Sequence, residues 1–143
     1  MLTQLEVSLG LAFTDVRDAA NGTLMSTTSL STRQAGIPSR TLNLLARYRL
    51  PETVAPASTV GLALHAFSSL RSVAPNAEGT ASPLRLPGGA RTDLSWTRKS
   101  GSWALGVAVQ NLFDRRLYGI YSTQGFVPLQ PGRSIGVTLA FSG

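Results

Sequence analysis

The most constraining feature of this chain is a strict two-residue alternation close to its carboxyl end. From Ser134 to Phe141, the residues Ile135, Val137, Leu139 and Phe141 project to one side, and Ser134, Gly136, Thr138 and Ala140 to the other. That is the period of an extended strand whose two faces meet unlike surroundings. The pattern recurs in five earlier segments. Leu5, Val7, Leu9, Leu11 and Phe13 alternate with Glu6, Ser8, Gly10, Ala12 and Thr14; Leu42, Leu44, Ala46, Tyr48 and Leu50 alternate with Thr41, Asn43, Leu45, Arg47 and Arg49. Val60, Leu62, Leu64 and Ala66 stand against Gly61, Ala63, His65 and Phe67, and Leu94 and Trp96 against Arg91, Asp93, Ser95 and Thr97. Finally Trp103, Leu105, Val107 and Val109 stand against Ala104, Gly106, Ala108 and Gln110. Apolar positions recur at two rather than at three and four, and β-branched residues and glycines crowd the segments, so a helical reading fails.

Composition narrows where such strands can sit. Of the 143 residues 43% are hydrophobic and 14% charged, which suits strands with one face in lipid. Arg, Asn, Ser or Thr interrupts every apolar run, so no segment approaches the ~18 apolar residues of a transmembrane helix. The net charge of +6 is almost wholly arginine, with Lys99 the lone lysine. These arginines form no basic helix and no patch interleaved with aromatics, which argues against nucleic acid as a partner. Cysteine is absent, which fits an envelope barrel and the cytosol equally. Met1 to Glu6 lacks the basic start, apolar core and small-residue cleavage site of a secretory signal. The expectation is a segment of a longer exported protein, or a start inside a truncated gene.

Connections between the segments alternate in length. Residues 15–38, 71–89 and 112–132 are long; residues 51–58 and 98–101 are short. Long loops on one side and short turns on the other mark outer-membrane barrels. Tyr48, Trp96, Trp103 and Phe141 lie on apolar faces beside the short turns or the carboxyl end, the placement of an aromatic girdle at the periplasmic edge. An ordinary antiparallel sheet with one wet face would show the same alternation, and a Trp at a strand end also serves as a core residue.

One run is more specific. Val109-Gln110-Asn111-Leu112-Phe113-Asp114-Arg115-Arg116-Leu117-Tyr118 closes the segment that opens with Trp103, and Pro131-Gly132-Arg133 opens the last one. This arrangement resembles the carboxyl-terminal barrel of TonB-dependent outer-membrane receptors. The runs Ile37-Pro38-Ser39-Arg40-Thr41-Leu42-Asn43 and Leu86-Pro87-Gly88-Gly89, continuing to Asp93-Leu94, resemble strand beginnings of siderophore receptors. Ser134, Gly136, Leu139 and Phe141 are similar in spacing to the signal read by the barrel-assembly machinery, although Ser142-Gly143 follows the aromatic residue on which family members usually end.

The resemblance implies an all-β, antiparallel, up-and-down transmembrane barrel segment of about six strands, residues 1–143 forming the carboxyl-terminal part of a barrel of about twenty-two. The plug domain and the amino-terminal strands are absent, as is the segment that engages the TonB complex. It further implies the bacterial outer membrane as location, outer-membrane lipid and the barrel-assembly machinery as partners, and import of a ferric siderophore or similar nutrient by the parent, with no cofactor. Six strands cannot close alone, because unpaired backbone groups in lipid cost several kcal/mol each. Two other readings stay open: a soluble antiparallel β module that binds an apolar ligand, and a small outer-membrane protein that assembles several copies into one barrel.

As ligand contacts the resemblance nominates loop residues Arg71, Arg85, Arg115, Arg116, Tyr118 and Tyr121, which could meet an anionic iron chelate by charge-assisted hydrogen bonds and ring contacts. Against this stands the simpler role of loop arginines in solvating the surface or binding lipopolysaccharide phosphates. Glu6, Arg47, Arg49, Arg91 and Asp93 would face inward, toward the plug. His65, the single histidine, reads as a spacer on a wet face rather than a metal ligand. Asn111 and Asp114 read as residues that fix a turn by side-chain-to-backbone bonds. An enzyme finds no footing: there is no Cys nucleophile, paired-His motif, phosphate-cradling glycine loop or Gly-x-Ser-x-Gly turn.

Overall fold

A computed structural model describes residues 4–15, 37–75, 81–119 and 129–143, and of residues 71–75 and 81–83 the backbone. The alternating segments become one antiparallel sheet of six strands. They are β1 (Leu5–Phe13), β2 (Arg40–Arg49), β3 (Ser58–Phe67), β6 (Gly89–Ser100), β7 (Trp103–Gln110) and β8 (Ser134–Phe141), in that spatial order. Register aligns the alternation from strand to strand. Val7, Ala46, Leu62, Leu94, Val109 and Ile135 lie in one row. Glu6, Arg47, Gly61, Ser95, Ala108 and Gly136 lie in the neighbouring row on the opposite face. A slip of one residue would exchange the faces, so the pattern itself fixes the pairing.

Two departures from the sequence reading concern connections. Residues 71–89 are not a plain loop: β4 (Leu70–Pro75) and β5 (Ala81–Leu86) pair as a separate two-stranded sheet that continues beyond β3 and β6. Pro75 and Pro83 argue for a loop, yet a two-stranded hairpin has outer edges where a missing N–H breaks no ladder bond. Residues 98–100 belong to β6, which runs on until Gly101 and Ser102 turn the chain. Gly101 takes φ of +56° with nothing near its open side, the left-handed conformation such tight hairpins require.

The distribution of burial is that of a wall rather than a globule. Among the described residues the buried hydrophobic side chains are Leu70, Leu86 and Leu117, all at the end of the sheet that carries the long connections. The apolar face is open: Leu9 is 62% exposed, Phe13 77%, Ile135 71% and Leu139 64%. The other face holds the polar and small residues, and two hollows lie on it.

Candidate functional site

The long-connection rim is where the chain builds specific geometry, starting at Asn111. β7 ends there because Asn111 adopts φ of +51°, and Asp114 does the same three residues later; Asn and Asp tolerate this region better than most residues. The Asn111 side chain is 1% exposed. Its Oδ1 accepts from the Arg115 amide at 2.9 Å, and its Nδ2 donates to the carbonyls of Arg115 at 2.9 Å and Pro131 at 3.3 Å. Asp114 Oδ1 accepts the Arg133 amide at 2.8 Å. Thus the Asn-Leu-Phe-Asp and Pro-Gly-Arg runs, which flank one long connection in the sequence, are bonded to each other. Both close the stem of one loop.

That stem leans over β6. Gly89 has no Cβ, and one placed there would collide with Leu117. The Gln130 amide donates to the Leu117 carbonyl at 2.8 Å, and Tyr118 bridges to Leu129. At the base of the β4–β5 hairpin, a Cβ on Gly88 would lie 2.5 Å from the Phe67 carbonyl. The two glycines let three chain segments meet without a gap.

Between these segments lies a groove of about 340 Å³. β3 contributes His65 and Phe67, the loop stem contributes Tyr118 and Gln130, and Pro38 and Leu70 complete the wall. His65 Nδ1 is 2.6 Å from Asn43 Oδ1, and its ring is 5.8 Å from that of Phe67. A second hollow lies lower on the same face, with Asn43, His65, Arg91 and Asp93 in its lining. There Asp93 spans two elements: Oδ1 accepts the Asn111 amide at 2.9 Å while Oδ2 takes Arg91 Nε at 3.1 Å and Nη2 at 3.0 Å. Among the described residues no group of three His, Asp or Glu side chains could hold a metal ion.

Of the loop residues nominated from sequence, Tyr118 lines the groove. Arg115 and Arg116 are exposed and stand outside its lining. Arg85 is also exposed, and its guanidinium donates to Ser69 Oγ at 3.0 and 3.2 Å. Arg71 pairs with Arg85 along the hairpin backbone, its side chain lying outside the described residues together with the whole of Tyr121. Glu6, Arg47, Arg49, Arg91 and Asp93 share the polar face, as the register requires. Tyr48 and Trp96 fall in one row of the apolar face, and Trp103 packs on Phe141 with ring centroids 4.8 Å apart. Ser134, Gly136, Leu139 and Phe141 all lie on β8, an edge strand of the sheet among the described residues. Sequence reasoning missed Phe67 and Gln130. An aromatic residue on an otherwise polar face was the available signal for Phe67.

No family model and no curated protein matches the sequence. Solved structures do. FpvAI in its complex with pyocin S2 superposes with a TM-score of 0.80 at 14% identity, over 99% of this chain and 17% of that one. The chain therefore has the fold of a TonB-dependent siderophore-receptor barrel segment. Pseudomonas aeruginosa FpvA, bound to a heterologous pyoverdine and iron, matches with a TM-score of 0.76 at 17% identity, over 96% of this chain and 17% of that one. The chain spans about a sixth of the length of these receptors, and its six-stranded sheet stays open where a barrel would close.

Proposed function

We propose that these residues form the carboxyl-terminal wall of a TonB-dependent outer-membrane receptor that imports a ferric siderophore or a similar scarce nutrient. The observation that carries this reading is the apolar face: a row-by-row register of Leu, Val, Ile and aromatic residues left in contact with solvent, on a sheet with the receptor-barrel fold. Each such side chain moved from water into lipid gains about 1.5–3 kcal/mol. A soluble β module would bury these residues against a second layer, and the described residues supply none. The two outer strands, β1 and β8, would pair with further barrel strands. The polar face, with Glu6, Arg47, Arg91 and Asp93, would look onto a plug. In this reading the wall acts only as part of the whole receptor, which couples to the TonB complex.

The test extends the reading frame of these residues upstream, expresses it in cells stripped of their own siderophore receptors and measures uptake of labelled ferric siderophores. Energy-dependent uptake is the expected result. An outer-membrane protein that neither binds nor imports any ferric chelate would overturn the proposal.

A further inference from the structure

We infer that Arg98 is a binding site for the headgroup phosphate of an anionic glycerophospholipid, in the leaflet on the short-turn side. The inference rests on reading this sheet as a barrel wall, and it names a lipid partner for one position on the apolar face. Among the described strand residues that face carries charge at two positions, Arg40 and Arg98, the latter two residues beyond Trp96. They mark its two ends. Arg40 pairs with Phe13 at the long-connection end of β2, while Arg98 pairs with Ser58, whose carbonyl accepts the Leu50 amide just past the other end of β2. The rows are therefore ten residues apart, from Arg40 to Leu50, or about 34 Å along the strand. A strand tilt of about 40° reduces this to about 25 Å, the height of the apolar band of an outer-membrane barrel. Arg98 thus stands at the level of lipid headgroups.

Its surroundings make a phosphate the fitting counterion. On the apolar face Arg98 has Leu105 opposite on β7, Trp96 on its own strand and Trp103 diagonally across. Trp103 is 51% exposed and packs on Phe141. Such apolar and aromatic neighbours lower the local dielectric, which strengthens any ion pair formed there. Among the described residues no carboxylate meets this guanidinium. Of the chain's seven Asp and Glu residues, Glu6 and Asp93 lie on the polar face, Glu52 pairs with Arg49 at 3.7 Å, and the other four fall in the long connections. A lipid phosphate fills that role, because the guanidinium fork takes two of its oxygens at once and the Trp103 indole N–H adds a donor in the same belt. A zwitterionic headgroup brings its own cation to the phosphate, whereas an anionic one leaves it free for Arg98.

The experiment refolds the full chain, with Trp96→Phe so that Trp103 alone emits, into phosphatidylcholine vesicles in which a minor fraction of the lipid carries bromine on its upper acyl carbons. The brominated lipid is either phosphatidylglycerol or phosphatidylcholine. Phosphatidylglycerol is expected to quench Trp103 about fivefold more effectively per mole, the enrichment that one arginine gives at an anionic headgroup. Arg98→Gln is expected to bring the two lipids to parity, and Arg98→Lys to keep part of the preference, since a point charge replaces the fork. Lys99→Gln removes the same charge one residue away on the polar face, opposite Ala104, and is expected to leave the preference intact. Equal quenching by the two lipids with Arg98 intact, a preference that survives Arg98→Gln, or one lost equally in Lys99→Gln would overturn the inference while leaving the wall in lipid. Should Arg98→Gln fail to insert, the two lipids compared with Arg98 intact and in Lys99→Gln decide. Quenching by neither lipid would overturn the barrel-wall reading as well.

Discussion

The carboxamide of Asn111 closes on the backbone of Arg115 from both sides, its Oδ1 accepting the amide and its Nδ2 donating to the carbonyl, each at 2.9 Å. A third bond reaches Pro131, so one buried side chain ties the end of β7 to the start of β8.

Replacing Asn111 with Ala strands those partners and places a Cβ residue with no local polar bond at φ of +51°. The expected loss is about 2–4 kcal/mol, the sum of left-handed strain and unmade bonds. Asn111→Gly, which restores the backbone freedom only, should recover about 1 kcal/mol of it. Urea unfolding of the lipid-reconstituted protein measures both.

Asp93 and Arg91 form an ion pair, but the two are not equivalent. Arg91 is 41% exposed, so its pairing contributes at most about 1 kcal/mol. Asp93 also accepts the Asn111 amide. Asp93→Ala should therefore destabilise by about 1–3 kcal/mol more than Arg91→Ala, with unfolding midpoints as the measurement. Equal effects would show that the ion pair is all that matters there.

The glycines separate in the same way. A methyl group at Gly88 meets the Phe67 carbonyl at 2.5 Å and the Ser68 carbonyl carbon at 2.8 Å, whereas one at Gly136 meets nothing within 4 Å. Gly88→Ala should cost about 1–3 kcal/mol through backbone displacement, and Gly136→Ala should be near neutral. Heat-induced mobility shifts of the folded protein would rank them.

What was legible in the sequence follows from what writes a signal into it. Six strands could be read because the apolar and the polar face of the sheet impose opposite demands at every second residue, as Ile135 to Phe141 and Leu5 to Phe13 display. The β4–β5 hairpin answers to neither demand, so Pro75 and Pro83 hid it. Arg98 and Lys99 suggest a turn, yet they simply prolong β6 past the apolar band. The groove was hardest to read, since its walls come from Pro38, from His65, Phe67 and Leu70, and from Tyr118, Gly119 and Gln130, and no spacing along the chain brings these together. Tyr118 was legible as a loop aromatic, whereas Gln130 carries no mark of its position.

The two faces should also respond differently to charge. Leu9→Arg puts a guanidinium on the apolar face in mid-strand, while Ser8→Arg puts it on the polar face beside Leu45. The first should cost about 2–4 kcal/mol of assembly free energy in a bilayer and the second little. Comparing membrane-inserted fractions of the two variants reads this directly.

The central claim is that the face carrying Trp96 and Trp103 lies in lipid, and these are the chain's two tryptophans. Refolding the chain into vesicles whose acyl chains carry bromine, and recording tryptophan emission, tests it most directly. Quenching of both residues, removed singly by Trp96→Phe and Trp103→Phe, is the predicted result. A chain that folds cooperatively as a monomer in plain buffer, with emission indifferent to bromine, would contradict it.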